Sequence, residues 1–168
     1  MPPPAKILRK QIVTGSQTPL EVKIIYLSDK KIPAETETAL LERVRQSLNY
    51  EQATVNLERV ASEIGAIDFS RNQSALPLLG MMQLDFAGRM MRENTNLTLT
   101  AAGNSRKNEP KEITAERMRS IADYLETRWQ IAPEKIKTAE AVPTAGVMLI
   151  NFQMNDARTA NETQAKIN

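Results

Sequence analysis

Apolar and polar positions recur along this chain with two different periods, and the switches between them mark its elements. Residues 20–27, LEVKIIYL, are rich in β-branched and aromatic types, which predicts a strand. A turn over 28–33 follows, and Pro33 suits the first turn of a helix. Leu40, Leu41, Val44 and Leu48 then recur at helical spacing, so 34–49 reads as an amphipathic helix. Over 53–60 the period drops to two. Ala53, Val55 and Leu57 share one face, and Thr54, Asn56 and Glu58 share the other. Such alternation marks a half-buried strand, so 20–60 forms one β-α-β unit.

Ser62 and Gly65 punctuate the chain before a short strand around Ile67 and Phe69. A polar stretch, 70–74, leads into helical spacing at Leu79, Met82, Phe86 and Met90, a stripe that helix periodicity assigns to the core. LTLTAA, 97–102, places Leu97, Leu99 and Ala101 on one face of a strand. After a polar loop, 103–112, Thr114 suits the N-cap of a further helix. Met118, Ile121, Ala122, Leu125 and Trp129 form its apolar stripe, and Ala132-Pro133 ends it. Strands are predicted at 135–142 and 147–154, the second with Met148, Ile150, Phe152 and Met154 on one face.

The fold class is therefore α+β: a β-α-β unit followed by a β-α-β-α-β-β sandwich, with helices packed on a mixed sheet. Four segments are expected. Residues 1–18, Pro-rich and then polar, read as a flexible arm. Residues 19–64 are the first unit and 65–154 the second. Residues 155–168 read as a disordered polar tail. A unit of about 40 residues is small for independent stability. That favours packing of the first on the second, an arrangement in which the two can share a sheet.

Composition removes much chemistry. The 168 residues include no Cys and no His. Disulfides, Cys/His zinc sites, haem attachment, thiol catalysis and His-based triads are excluded. An enzyme would need carboxylates, Lys or Tyr, and these do not cluster in the sequence. No dinucleotide-binding glycine motif, phosphate-binding loop or EF-hand loop appears. Gly103-Asn104-Ser105-Arg106-Lys107 has a glycine and cations without the phosphate-loop spacing. It reads as a polar surface loop, with a backbone nest for a phosphate or carboxylate as the alternative. The chain thus reads as non-catalytic, without cofactor or metal.

Net charge is +2, balanced along the chain. A nucleic-acid footprint needs a clustered basic face. Lys6, Arg9 and Lys10 are the only basic cluster and read as part of a solvated tail. Single-strand RNA recognition on a sheet needs exposed aromatics, and LTLTAA has none. No run approaches the ~20 apolar residues of a membrane span. The start, MPPPAKILRKQ, lacks the apolar stretch of a signal peptide. The expectation is a cytosolic chain or a piece of a larger protein.

Residues 66–153 resemble the OmpA-like domain of bacterial cell envelopes. AIDFSRNQSALP is similar to that family's opening Phe-Asp-x-x-x-x-x-Leu. Gly103-Asn104-Ser105-Arg106 stands where the family has Gly-His-Thr-Asp. Ile113-Thr114-Ala115-Glu116-Arg117-Met118 resembles Leu-Ser-x-x-Arg-Ala, and Ile131-Ala-Pro-Glu-Lys-Ile136 resembles Gly-Ile-x-x-x-Arg-Ile. The resemblance implies a non-covalent peptidoglycan binder. In such a site the Asp holds the ammonium of diaminopimelate and the Arg holds its carboxylate, both through charge-assisted hydrogen bonds.

Carried over, Arg117 stands in the arginine position and Arg106 replaces the aspartate. A cation there repels an ammonium. Ser70 replaces an acidic residue of the opening strand, and Pro110 replaces an asparagine before the helix. The expected ligand-binding set is Arg117, Arg106, Asn104, Ser105 and Ser70, with diaminopimelate binding lost or altered. The two arginines can make an anion site instead. The plainer reading pairs Arg117 at the surface with Glu112 or Glu116. Residues 20–60 resemble the soluble C-terminal part of a bacterial family of multi-pass membrane proteins. That implies a membrane segment upstream and a juxtamembrane basic arm over 1–12.

The function expected from all this is binding or scaffolding in the periplasm or at a membrane. The partner is peptidoglycan or a cell-envelope protein, not nucleic acid. The alternative is a cytoplasmic protein-interaction or regulatory domain, and less so an enzyme acting on a small substrate.

Overall fold

The computed structural model describes residues 6–15, 18–48, 53–139 and 146–154. The chain divides into two compact units, Met1–Ser62 and Glu63–Asn168. In the first, β1 (Lys6–Gly15) and β2 (Thr18–Leu27) are antiparallel, and α1 (Ala34–Leu48) crosses to β3 (Thr54–Val60), which lies parallel to β2. Val22, Ile24 and Val55 form the core there, and Leu41, Val44 and Leu48 of α1 pack on it. The predicted β-α-β unit is present with its helix stripe facing inward.

The flexible arm is corrected. Residues 6–15 form a strand that pairs along β2 from Lys6 opposite Leu27 to Gly15 opposite Thr18. A register shift between Ile7 and Arg9 breaks the period-two alternation, which hid the strand from pattern reading. Leu8 is buried, while Ile7 and Ile12 are exposed. Lys6, Arg9 and Lys10 suit a sheet edge, where charged side chains discourage further pairing. The tail expected over 155–168 lies outside the described residues.

The second unit runs β4 (Glu63–Asp68), α2 (Leu78–Glu93), β5 (Leu97–Gly103), α3 (Glu112–Trp129), a one-turn 3-10 helix (Pro133–Lys135), β6 (Ile136–Ala139) and β7 (Val147–Met154). This is the expected β-α-β-α-β-β order, and the protein is α+β. The sheet order is β4-β7-β5-β6; β7 pairs antiparallel with β4 and β5, and β5 lies parallel to β6. The strands of the two units make two separate sheets, so the shared sheet is not formed. Gly65, expected as punctuation, lies inside β4 beside a register shift, at φ +146°. No helix among the described residues is long and apolar enough to cross a membrane.

Ile121 and Leu125 of the stripe predicted on α3 are buried, as is Met90 on α2, but the rest of the α2 face is misplaced by the sequence pattern. On α2 the buried residues are Gly80, Leu84, Ala87, Gly88, Met90 and Met91. Leu79, Met82 and Phe86, read as core, are 73%, 60% and 39% exposed. Two apolar stripes compete on this helix, and the one bearing glycines wins because it permits closer packing. A Cβ on Gly80 would lie 2.8 Å from Ile67, and one on Gly88 would lie 2.3 Å from the Trp129 ring. Met82→Lys should therefore shift stability by less than about 0.5 kcal/mol in urea unfolding, whereas Leu84→Ala should cost about 2–5 kcal/mol. Equal costs at the two positions would restore the original core assignment.

Helix α3 begins two residues before Thr114, with Lys111 at the cap position and no side-chain cap bond. Its inner face is Ile113, Arg117, Ile121 and Leu125, spaced by four. Three of these are apolar, and the fourth is a cation.

Candidate functional site

Arg117 points from α3 into the packed interior and is 0% exposed. A buried guanidinium needs a counter-charge and partners for its N–H groups. It finds both in the loops that flank β4 and β5. Nη1 and Nη2 donate to the two Glu109 carboxylate oxygens at 3.0 and 2.7 Å, a bidentate pair. Nε donates to the Gln73 carbonyl at 2.9 Å, and Nη2 also donates to the Ser70 carbonyl at 3.1 Å. The guanidinium carbon lies 5.3 Å from the centre of the Phe69 ring, within cation–π range.

Glu109 is equally enclosed, its side chain 0% exposed. Besides Arg117, it accepts the backbone N–H groups of Asn72 at 2.9 Å and Arg106 at 2.6 Å. Asn72 and Asn108 take left-handed conformations, φ 54° and 70°, at the turns that shape these two loops. The Arg117 hydrogen bonds hold the Glu109 carboxyl far below the usual carboxylate range. Burial opposes this, and the two backbone N–H groups reinforce it. The ion pair thus fixes both loops to α3 around one desolvated carboxylate.

Arg106 lies beside this pair. Its Nη2 donates to Asp68 at 2.5 Å and its Nη1 to the Phe69 carbonyl at 2.7 Å, with Nη1 3.6 Å from Glu109. Gly146 makes room for it: a Cβ there would sit 2.3 Å from Arg106 Nε, on a backbone at φ +81°. The Gly146 N–H donates to the Asn104 carbonyl at 2.7 Å.

Of the residues singled out in the sequence, Ser70, Arg106 and Arg117 come together here. Asn104 and Ser105 do not; they line a separate cleft. The surface pairing of Arg117 with Glu112 or Glu116 is corrected: its partner is Glu109, and both are buried. The two arginines each already hold a carboxylate, Glu109 and Asp68 respectively. Glu109 escaped the sequence reading. One signal was available: a cation in a stripe of residues four apart that is otherwise apolar requires a buried carboxylate.

A second polar cluster ties α2 to α3. One Asp85 oxygen accepts the Tyr124 hydroxyl at 2.9 Å, Arg128 Nε at 2.8 Å and the Trp129 indole N–H at 2.8 Å. Hydrogen bonds from Arg128 and then Trp129 lower the Asp85 pKa, while burial raises that of the Tyr124 phenol. It is a bracket between helices. Among the described residues no group of three acidic, Cys or His side chains could hold a metal.

No protein-family model and no curated protein matches the chain. Among solved structures it is similar to OmpA-like domains. The OmpA-like domain of FopA1 from Francisella tularensis subsp. tularensis SCHU S4 is 13% identical at TM-score 0.42, over 53% of this chain and 71% of that one. The peptidoglycan-associated lipoprotein from Burkholderia pseudomallei is 8% identical at TM-score 0.45, over 52% and 89%. The periplasmic domain of Helicobacter pylori MotB is 11% identical at TM-score 0.42, over 60% and 78%.

Proposed function

We propose that this chain is a non-catalytic binding or scaffolding domain of the bacterial cell envelope whose arginine subsite is filled from within. The motif resemblance over 66–153 and the β-α-β-α-β-β order support the envelope role. The buried Glu109–Arg117 pair carries the finer reading. In a diaminopimelate site the arginine takes the ligand's carboxylate. Here Glu109 supplies that carboxylate, with two backbone N–H groups and the guanidinium around it. A ligand would have to exchange one carboxylate for another and leave Glu109 buried without its partner, which is costly. Its ammonium would also meet Arg106. Arg117, Arg106 and Ser70 then serve to fix the loops, and the domain acts at the envelope through a protein partner instead of peptidoglycan.

The test is an NMR titration of the labelled full chain with a diaminopimelate-containing muropeptide. No saturable shift is expected in 70–74 or 104–117 up to about 10 mM ligand, the range in which weak specific sites still saturate. Saturable shifts centred on Arg106 and Arg117 would overturn the reading and restore peptidoglycan binding.

A further inference from the structure

Helix α2 is apolar on two opposite sides. One side, through Gly80, Leu84, Ala87, Gly88 and Met91, is buried. The other carries Leu78, Leu79, Met82 and Phe86, all exposed. These four recur at helical spacing and form one stripe about 12 Å long, at ~1.5 Å per residue. A helix with apolar residues on opposite sides is ordinarily covered on both. Beside the stripe lies a groove of about 370 Å³, lined by Ile64 of β4 and by Leu79, Met82, Gln83 and Phe86. Ile64 falls at the register shift between Glu63 and Gly65, where an extra residue re-aims a side chain. The Phe86 ring is set against Phe152, centroids 6.2 Å apart, so this part of the surface is held in place.

Shape, size and charge define the occupant. Strand β4 is an edge strand, but it is short and bulged and ends in the exposed acids Glu63 and Asp68, features that discourage an added strand. The spacing of the stripe suits a second helix instead, laid on it by its own apolar face. The patch is on the order of a few hundred Å², below the ~800 Å² that each partner gives to a standard interface. That area fits a single helix better than a globular face. The stripe ends on cations. Arg89 is exposed, its guanidinium carbon 5.9 Å from the centre of the Phe86 ring, and Arg92 follows in the last turn. Glu93 has an interaction of its own. A second copy of α2 complements this poorly. Antiparallel pairing would bring Arg89 to the positive, amino-terminal pole of the other helix, whose first turn holds no acid. Parallel pairing would set Arg89 against Arg89, two like charges. An acidic partner helix meets neither conflict.

We infer that the exposed face of α2 docks an amphipathic helix of a partner protein, with apolar residues at steps of three and four and a carboxylate that meets Arg89. The inference rests on the reading that the domain works through a protein partner, and it names the surface.

The probe is a synthetic helix of about 18 residues, above the length at which isolated helices become marginal. It carries leucines at that spacing and glutamates on both flanks; a twin carries lysines in place of the glutamates. Each is titrated into the labelled full chain. Saturable amide shifts are expected at 64 and 78–89 with the glutamate helix, with Kd on the order of 100 μM. The lysine twin should bind more weakly by about threefold or more. Met82 and Arg89 are exposed, so substitution there keeps the fold. Met82→Gln should weaken the glutamate helix by about fivefold or more, and Arg89→Glu should reverse the preference between the twins. Absence of saturable shifts, shifts elsewhere, equal binding of the twins, or binding unchanged by Met82→Gln would each overturn the inference. Concentration-dependent shifts at 78–89 without peptide would assign the face to a second copy, and shifts there with phosphatidylglycerol vesicles but not with peptide would assign it to a lipid surface; either result overturns it too. Failure here with muropeptide still unbound removes this surface and leaves the protein-partner reading standing, whereas muropeptide binding at Arg117 strikes that reading itself.

Discussion

Glu109→Ala should cost the second unit about 3–5 kcal/mol, because it leaves the Arg117 guanidinium buried and uncompensated. The loss comes from three sources at once. The bidentate pair disappears, and the Asn72 and Arg106 backbone N–H groups lose their shared acceptor. Phe69 and the two carbonyls beneath the guanidinium cannot replace a negative charge. Urea unfolding followed by tryptophan fluorescence reports this directly, since Trp129 is the only tryptophan and lies in the second unit. Adding Arg117→Met to Glu109→Ala should recover a large part of the loss, because an apolar side chain of similar length needs no counter-charge. A double variant as unstable as Glu109→Ala alone would mean that the pair is not the cause.

The same pair sets the acid response. The carboxyl of Glu109 sits below its ordinary value in the folded protein. Its stabilisation is therefore fully present above the unfolded-state pKa, about 4.3 for Glu, and is lost as pH falls below it toward the folded value. Asp85 is lowered too and contributes in the same direction. Glu109→Gln should start less stable at neutral pH and lose stability less steeply between about pH 5 and 3. An acid slope equal to that of the parent would show that Glu109 titrates normally.

Gly88→Ala should destabilise by about 1–3 kcal/mol, although alanine is the better helix former by about 1 kcal/mol. The added methyl would fall 2.3–2.6 Å from the Trp129 atoms Cγ, Cδ1 and Cδ2, at the root of the indole and not at a flexible tip. Relief requires either separating α2 from α3 or turning the indole, and turning it breaks the Trp129 N–H bond to Asp85. The sign should reverse once the ring is gone. In a Trp129→Ala background Gly88→Ala should be neutral or stabilising, with unfolding read by circular dichroism. Destabilisation of equal size in both backgrounds would remove Trp129 from the explanation.

These two positions also mark where pattern reading stopped. Strands that alternate cleanly, such as β3 and β7, were legible because one face is buried and the other is not. The central strand β5 was legible as a strand but not in burial, since Thr98 and Thr100 are enclosed along with Leu97 and Leu99. On α2, hydropathy favoured Leu79, Met82 and Phe86, while the packed face depends on Gly80 and Gly88, whose value lies in what they lack. Strand β1 was hidden by its bulge and by three basic residues. In the structure Arg117 and Arg106 both lie beside Glu109. The family resemblance did not point to Glu109, which arrives from a loop eight positions before Arg117 and belongs to no helical or strand period.

The central claim is that Arg117 is held by a carboxylate of its own chain. The most direct measurement is the pH dependence of the Glu109 side-chain carboxyl carbon shift in the folded protein. The expected result is a flat profile from pH 7 down to the acid unfolding transition. A Glu109 midpoint at or above about 4.3, the ordinary value of a glutamate, would place its carboxylate in water, free the guanidinium of Arg117 and contradict the account.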